Sequence, residues 1–76
     1  MPTAFVLVNA EVGKIRDILG ELRKIGGVAE VYSVAGPYDI VAKLQAEKFE
    51  KVAESVTQRL HKLGGIKNTV TLFAFE

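Results

Sequence analysis

Residues 33–40, with the sequence SVAGPYDI, lie at the middle of the 76-residue chain and divide it into two similar halves. Pro37 holds φ at about −65°, which suits the second position of a tight turn, and Gly36 tolerates geometry that a Cβ would resist. On either side, residues 22–28 (LRKIGGV) match residues 60–66 (LHKLGGI), which follow half a chain length later. Each half is therefore predicted to contain a strand, a helix and a strand, and residues 33–40 to form the hairpin that joins the halves.

The composition excludes several kinds of function. Ten basic and nine acidic residues are interleaved, which gives a net charge of +1 and no basic patch for nucleic acid. The chain has no cysteine and a single histidine, so neither a disulfide nor a cysteine- or histidine-cluster metal site is available. No apolar run is long enough to span a bilayer, and the N-terminus lacks the pattern of a signal peptide. We expect a soluble cytoplasmic protein with no cofactor, no membrane partner and no direct contact with nucleic acid.

Four segments have the β-branched and aromatic composition of strands. Residues 3–8 (TAFVLV) are apolar on both faces, which predicts a central strand covered on both sides. Residues 28–34 and 40–46 flank the central turn, and the second of them alternates with a period of two. Residues 66–76 close the chain as a long strand. One of its faces carries Thr69, Thr71, Phe73 and Phe75.

Two segments have helical periodicity. In residues 12–25 and 47–63, apolar side chains recur at intervals of three and four, and charged side chains take the opposite side. Asn9 is placed to cap the first helix. Gly26 and Gly64 are expected to end the two helices in the left-handed conformation.

The order βαββαβ predicts an α+β protein with the ferredoxin-like sandwich fold. Right-handed crossovers place one antiparallel sheet in the strand order 4-1-3-2, with both helices on one face. The apolar side chains of the strands are too numerous to lie all on that face; they include Phe5, Leu7, Val41, Phe73 and Phe75. An uncovered apolar sheet face is more typical of an interface than of a solvent surface, so we expect a homodimer packed sheet to sheet.

Asp39 is the most informative polar residue, because it follows the central turn between two apolar strands. Its carboxylate can accept hydrogen bonds from backbone N–H groups, as Asp commonly does in turns. It can instead receive the ammonium of a zwitterionic ligand whose carboxylate binds the turn amides. The residues alone leave both interpretations open.

Three motifs, in their order and spacing, resemble the effector-binding (RAM) domain of the Lrp/AsnC, or feast/famine, transcription regulators. They are residues 26–28 (GGV), the central turn, and residues 64–71 (GGIKNTVT), so the resemblance covers essentially the whole chain. The family's Gly-x-Tyr/Phe-Asp and Thr-x-Thr patterns fall on Gly36, Tyr38 and Asp39, and on Thr69 and Thr71.

This resemblance implies a domain that dimerises through its sheets as a dimeric α/β barrel and assembles further into tetramers or octamers. It also implies a free amino acid bound in clefts between dimers. The residues that would hold the ligand's α-amino and α-carboxylate groups belong to the hairpin, and two threonines would add hydroxyls. They are Ser33, Val34, Gly36, Tyr38, Asp39, Thr69 and Thr71.

The sequence departs from the family pattern in two ways. The regulators carry an N-terminal helix-turn-helix, and nothing of that kind precedes the first strand here. The resemblance therefore implies a stand-alone module that senses an effector and modulates full-length Lrp/AsnC regulators. Where the family often has Arg before the first threonine, this chain has Asn68, so a contact made by that Arg is not expected.

Two other functions are compatible with this fold. The ACT domain, also βαββαβ, binds ligands at the loop before its first helix, where this chain has Gly13 but lacks the usual acidic residue before it. Dimeric α/β-barrel enzymes, such as small oxygenases and isomerases, need polar groups between sheet and helices, where this chain supplies aliphatic and Phe side chains. His61 lies among polar residues of the second helix and is expected to be a solvated surface residue. We therefore expect no catalytic residue and no enzymatic activity.

Overall fold

The computed structural model describes residues 2–75, apart from the side chain of Phe49. The elements in chain order are β1 (Thr3–Ala10), α1 (Ile15–Arg23), β2 (Val28–Ser33), β3 (Ile40–Gln45), α2 (Phe49–Leu63) and β4 (Ile66–Ala74). The strands form one antiparallel sheet in the order β2-β3-β1-β4, which is 4-1-3-2 taken from the other edge. The predicted ferredoxin-like βαββαβ fold is confirmed.

The core lies between one face of the sheet and the two helices. Along β1 every second residue is buried, so that Ala4, Val6 and Val8 face the helices. The same side of β3 contributes Ile40, Ala42 and Leu44, and the helices contribute Ile18, Leu22, Val56 and Leu60. Within each helix these residues lie four apart, and partly buried residues such as Ile15 and Val52 extend the same faces, so the periodicity in the sequence correctly identified the buried helix faces. Neither helix is long and apolar enough to cross a bilayer within residues 2–75.

The start of the first helix differs from the prediction. Asn9 does not cap it, because Asn9 belongs to β1 and pairs with Asn68 of β4. The Glu11 N–H donates to the Gly65 carbonyl over 2.8 Å, which ties the loop to the start of β4. The chain then turns at Gly13, whose φ is +91°, and α1 begins after Lys14. Val12 is consequently 98% exposed and lies outside the helical core face on which it was predicted.

The end of the first helix is also corrected by one residue. The positive φ belongs to Gly27, at +95°, and not to Gly26. A Cβ on Gly27 would lie 2.5 Å from Cγ2 of Val52, so the corner between α1 and β2 packs directly against α2. At the end of α2, Gly64 has the predicted positive φ, at +71°.

The second face of the sheet, here called the open face, is apolar, and the register shows which of the strand side chains lie on it. Residues directly opposite each other in antiparallel strands project to the same side. Phe73 pairs with the fully buried Ala4 and therefore lies on the helix side, and Phe75 follows the end of β4. The register gives the open face its large aliphatic and Phe side chains, Phe5, Leu7, Val41, Val70 and Leu72, with Tyr32 beside Val41. Neither helix in the described part of the chain packs on this face.

Candidate functional site

The central turn forms a hairpin between β2 and β3, as predicted. Ser33 pairs with Ile40, and the Val34 N–H donates to the Asp39 carbonyl over 2.8 Å, which closes the loop. Gly36 has a φ of +140°, a conformation that L side chains rarely adopt, so the tip requires glycine at this position.

Asp39 joins this hairpin to the end of the central strand. Its N–H donates to the Val8 carbonyl over 2.9 Å, and its Oδ2 accepts a hydrogen bond from the Ala10 N–H, also over 2.9 Å. The ladder between β1 and β4 is irregular at Asn9 and Ala10, and the Asp39 carboxylate satisfies a backbone donor there. A carboxylate offers about four lone-pair sites, so this bond leaves acceptor capacity for a ligand. The structural and the ligand-binding interpretations of Asp39 are therefore compatible, because the bond to the Ala10 N–H orients the carboxylate towards which a ligand would bind.

The hairpin residues of the predicted site form one exposed group. Ser33, Val34 and Gly36 are exposed, and Tyr38 and Asp39 are half-buried. These five residues occupy one end of the β2–β3 edge of the sheet.

The two threonines of the predicted site lie at the opposite edge. Thr69 pairs with Val8, Val8 pairs with Ile40, and Ile40 pairs with Ser33, so one row crosses the whole sheet. Three strand spacings of about 4.8 Å put Ser33 and Thr69 about 14 Å apart. A single chain does not bring the threonines to the hairpin.

Thr69 and Thr71 instead line a cleft of about 230 Å³ between α2 and β4, the α2–β4 cleft. Its floor is apolar, with Val6 and Leu60 only 4% and 3% exposed. Across the cleft, α2 presents Thr57 and His61. His61 is exposed, as the sequence indicated, but it shares this cleft.

Sequence reasoning did not identify this cleft. Thr57 and His61 lie four positions apart in the sequence, so they share one face of a helix. That spacing and the Thr69-x-Thr71 pattern on the next strand were the features of the sequence that point to the cleft. They do not identify it by themselves, because only the tertiary structure shows that α2 packs beside β4.

Charged residues form a second cleft, of about 360 Å³, between the end of α1 and α2. It is lined in part by Lys24, Arg59 and Lys62. Glu21 lies beside it and pairs with Lys24 Nζ at 3.4 Å and with Arg59 Nη1 at 3.7 Å. The pair with Arg59 links α1 to α2, which gives these charges a structural role.

A polar cluster also lies at the β2 side of the open face. The Tyr32 hydroxyl donates to the Glu30 carboxylate, and Lys43 Nζ lies 3.5 Å from Glu30 Oε2. The hydrogen bond from Tyr32, together with the hydrogen bond and the charge of Lys43, lowers the pKa of Glu30, and the Tyr32 bond raises the pKa of Tyr32.

Other sites that the sequence raised are less well supported. In the loop before α1, which an ACT-like site would use, the N–H groups of Glu11 and Lys14 already donate to Gly65 and Glu11 carbonyls. Within residues 2–75, no three His, Cys, Asp or Glu side chains are grouped as a metal site would require.

Known proteins resemble this chain over its whole length. The profile of the Lrp/AsnC ligand binding domain matches residues 3–76. An uncharacterised helix-turn-helix-type transcriptional regulator of Pyrococcus furiosus is 36% identical over 76 residues, which cover 96% of this chain and 51% of the relative. The chain thus spans about half the length of the regulators it matches.

Two crystal structures of similar size share the fold. The protein TTHA0845 from Thermus thermophilus is 39% identical with a TM-score of 0.87, over 100% of this chain and 95% of that protein. FFRP-DM1 is 31% identical with a TM-score of 0.83, over 99% of this chain and 100% of that protein.

Proposed function

Because this chain belongs to the family of Lrp/AsnC ligand-binding domains, we propose that it is a regulatory module that binds a free amino acid at its β2–β3 hairpin. The relatives are transcriptional regulators and the family is a ligand-binding domain, which favours a binding function over an enzymatic one. A module of this kind would act in the cytoplasm, in assemblies of its own or together with full-length Lrp/AsnC regulators.

The observation that carries the proposal is the placement of Asp39. Its carboxylate is half-buried, oriented by the Ala10 N–H, and positioned beside the exposed hairpin tip. The ligand's ammonium is assigned to this carboxylate, since charge-assisted hydrogen bonds are the stronger ones. The ligand's carboxylate is assigned to backbone amides at the tip near Gly36, because those of Val34 and Asp39 already bond to backbone carbonyls.

Assembly of subunits is part of the proposal, for two reasons. First, the apolar open face suits a homodimer in which two sheets pack together, and a standard interface buries about 800 Å² on each partner. Second, Thr69 lies about three strand spacings from Ser33 and two from Ile40, at the β3 end of the hairpin, in its own chain. Thr69 and Thr71 would contribute hydroxyls to the amino-acid site only if dimers assemble further, into tetramers or octamers, with β4 of one chain beside the hairpin of another.

Two substitutions of Asp39 separate its structural role from ligand binding. Asp39→Asn keeps a side-chain oxygen for the Ala10 N–H but removes the charge, whereas Asp39→Ala removes both. We expect Asp39→Asn to weaken amino-acid binding tenfold or more, with little change in the free energy of unfolding, because a hydrogen bond between charged groups contributes about 1.5–3 kcal/mol. Titration calorimetry with the twenty amino acids and chemical denaturation measure the two quantities.

Asp17→Asn is the matched control, since Asp17 is exposed on α1 and lines a depression that contains no hairpin residue. It should leave the affinity unchanged. Unaltered binding in the Asp39→Asn variant would assign Asp39 to the fold alone. No binding of any amino acid at millimolar concentration would refute the proposed function.

A further inference from the structure

The helix side of β4 is incompletely covered by α2. Thr69 and Thr71 pair with the buried Val8 and Val6, yet both threonines are exposed. Phe73, opposite the fully buried Ala4, is 52% exposed. The α2–β4 cleft is therefore a gap between helix and strand inside one subunit, separate from the hairpin.

The floor of this cleft suits a small aliphatic group. Val6, Leu60 and Ile66 supply apolar surface at its base. Its volume of about 230 Å³ lies below the roughly 300–1,000 Å³ of sites for drug-sized ligands, which limits the occupant to a small metabolite.

The rim of the cleft supplies hydrogen-bond donors. Thr69 and Thr71 contribute hydroxyls, and His61 contributes a ring N–H. The Thr57 hydroxyl already donates to the Ala53 carbonyl over 3.0 Å, so in this arrangement it is left as an acceptor.

The charges around the cleft favour an anion. No Asp or Glu is among its lining residues, so a ligand's ammonium would have no anionic partner there. Lys62 borders the adjoining depression that Thr57 and His61 also line, which places a cation near the mouth.

We propose that the α2–β4 cleft is a second ligand site, which takes a small carboxylate with a branched or short aliphatic body. The body lies on Val6, Leu60 and Ile66, and the carboxylate accepts hydrogen bonds from Thr69, Thr71 and His61. Thr69 and Thr71 also serve the assembled amino-acid site proposed above, but this site requires neither Asp39 nor a second subunit, so the two can be tested separately.

Four probes with the same isobutyl group test the proposed chemistry. They are isovalerate, the neutral isovaleramide, the cationic isoamylamine and zwitterionic leucine. We expect isovalerate to bind at least tenfold more tightly than the amide and the amine in a titration followed by amide NMR spectra. The shifts it causes should centre on Thr69, Thr71 and His61, whereas those caused by leucine should include the hairpin around Asp39.

Variants of the rim give the second arm of the test. The nearly isosteric Thr69→Val and Thr71→Val pair removes two donors and should raise the dissociation constant for isovalerate tenfold or more. Thr71→Ser keeps the hydroxyl and should retain affinity for isovalerate. If this variant also loses affinity, the loss reflects a disturbed fold and not a missing donor. Lys51→Gln removes a positive charge from α2 away from the cleft and is the control for net charge.

The Asp39→Asn variant separates this site from the amino-acid site, because it should bind isovalerate as the unmodified protein does. Equal affinity for isovalerate and its amide would overturn the carboxylate assignment. Shifts centred on the hairpin, or no isovalerate binding at about 10 mM, would overturn the site itself.

Discussion

At the scale of single residues, Gly26 and Gly27 are neighbours with different requirements. Gly27 has a φ of +95°, and a Cβ there would approach Val52 Cγ2 to 2.5 Å. Gly26 has no atom within 4 Å of the position its Cβ would take, and its φ is not positive. In this Gly-Gly pair, the backbone conformation and the packing both require glycine at position 27, and neither requires it at position 26.

We expect Gly27→Ala to destabilise the fold by about 2–4 kcal/mol, which combines a left-handed alanine with overpacking against α2. Gly26→Ala is the matched control and should be neutral or slightly stabilising, because it restricts the unfolded chain without a clash. Urea denaturation of both variants measures the difference. Similar losses in the two variants would contradict the assigned geometry of this corner.

At the scale of elements, the strands show how one polar cluster is built into an apolar surface. Glu30 pairs with Lys43 across β2 and β3, and in that row Lys43 is followed by Phe5 and Leu72. The Tyr32 hydroxyl adds a bond to Glu30 from within β2. The cluster pairs the Glu30 carboxylate at the edge of the open face. Without it, a partner sheet would pack against an unpaired carboxylate.

The ionisation of this cluster should respond to Tyr32→Phe. Because the Tyr32 bond is the largest cause of the lowered pKa of Glu30, the variant should raise that pKa towards the ordinary value of 4.5. Lys43→Gln should also raise it, because it removes both a hydrogen bond and a positive charge. Carboxyl NMR titration of Glu30 measures both shifts, and an unchanged pKa in the Tyr32→Phe variant would contradict the assigned contact.

The sign of the effect on stability follows from the same contacts. The lowered pKa of Glu30 gives stability that is present above its unfolded value and is lost as the pH falls through the folded pKa. The raised pKa of Tyr32 gives stability that is present below about 10 and is lost as the pH rises through its folded pKa. Tyr32→Phe should therefore weaken the pH dependence of unfolding at both ends.

At the scale of the whole molecule, the fold covers only one face of its sheet. The helix side contains the fully buried core, whereas the open face presents Phe5, Leu7, Val41, Val70 and Leu72. A 76-residue chain buries a low share of its surface, so stability gained by association is expected to matter. The proposed homodimer would cover the open face and would add the stability of association.

Leu72→Lys tests this dimer, since Leu72 is 50% exposed in one chain and its replacement should leave the subunit folded. Burial of the exposed half of this leucine contributes about half of the usual 1.5–3 kcal/mol, a two-fold interface contains it twice, and lysine also brings a charge into the interface. We expect the dissociation constant of the dimer to rise roughly 100-fold or more, as measured by analytical ultracentrifugation.

Val12→Lys replaces an exposed apolar residue in the loop before α1 and should leave the assembly intact. A monomeric unmodified protein at micromolar concentration, or a Leu72→Lys variant that still associates, would refute the sheet-to-sheet dimer.

The amino-acid sequence by itself determined the order of elements, the sheet order and the helix faces that enter the core. These follow from periodicities of two and three to four and from the handedness of crossovers, which are properties of local segments. The repeated halves and the turn at residues 33–40 likewise predicted the hairpin that contains Asp39. The resemblance to Lrp/AsnC domains rested on short motifs whose spacing is also visible in the sequence.

Only the tertiary structure decided which side of the sheet Phe73 faces, where Asp39 directs its carboxylate, and which residues share a cleft. The sequence left the side of Phe73 open, because the register of β4 depends on its pairing with β1, at the other end of the chain. Asp39 bonds to Ala10, 29 residues away, and Thr69 meets His61 only because α2 packs beside β4. Contacts between segments distant in sequence are set by packing and pairing energies summed over the whole fold, and no local pattern contains them.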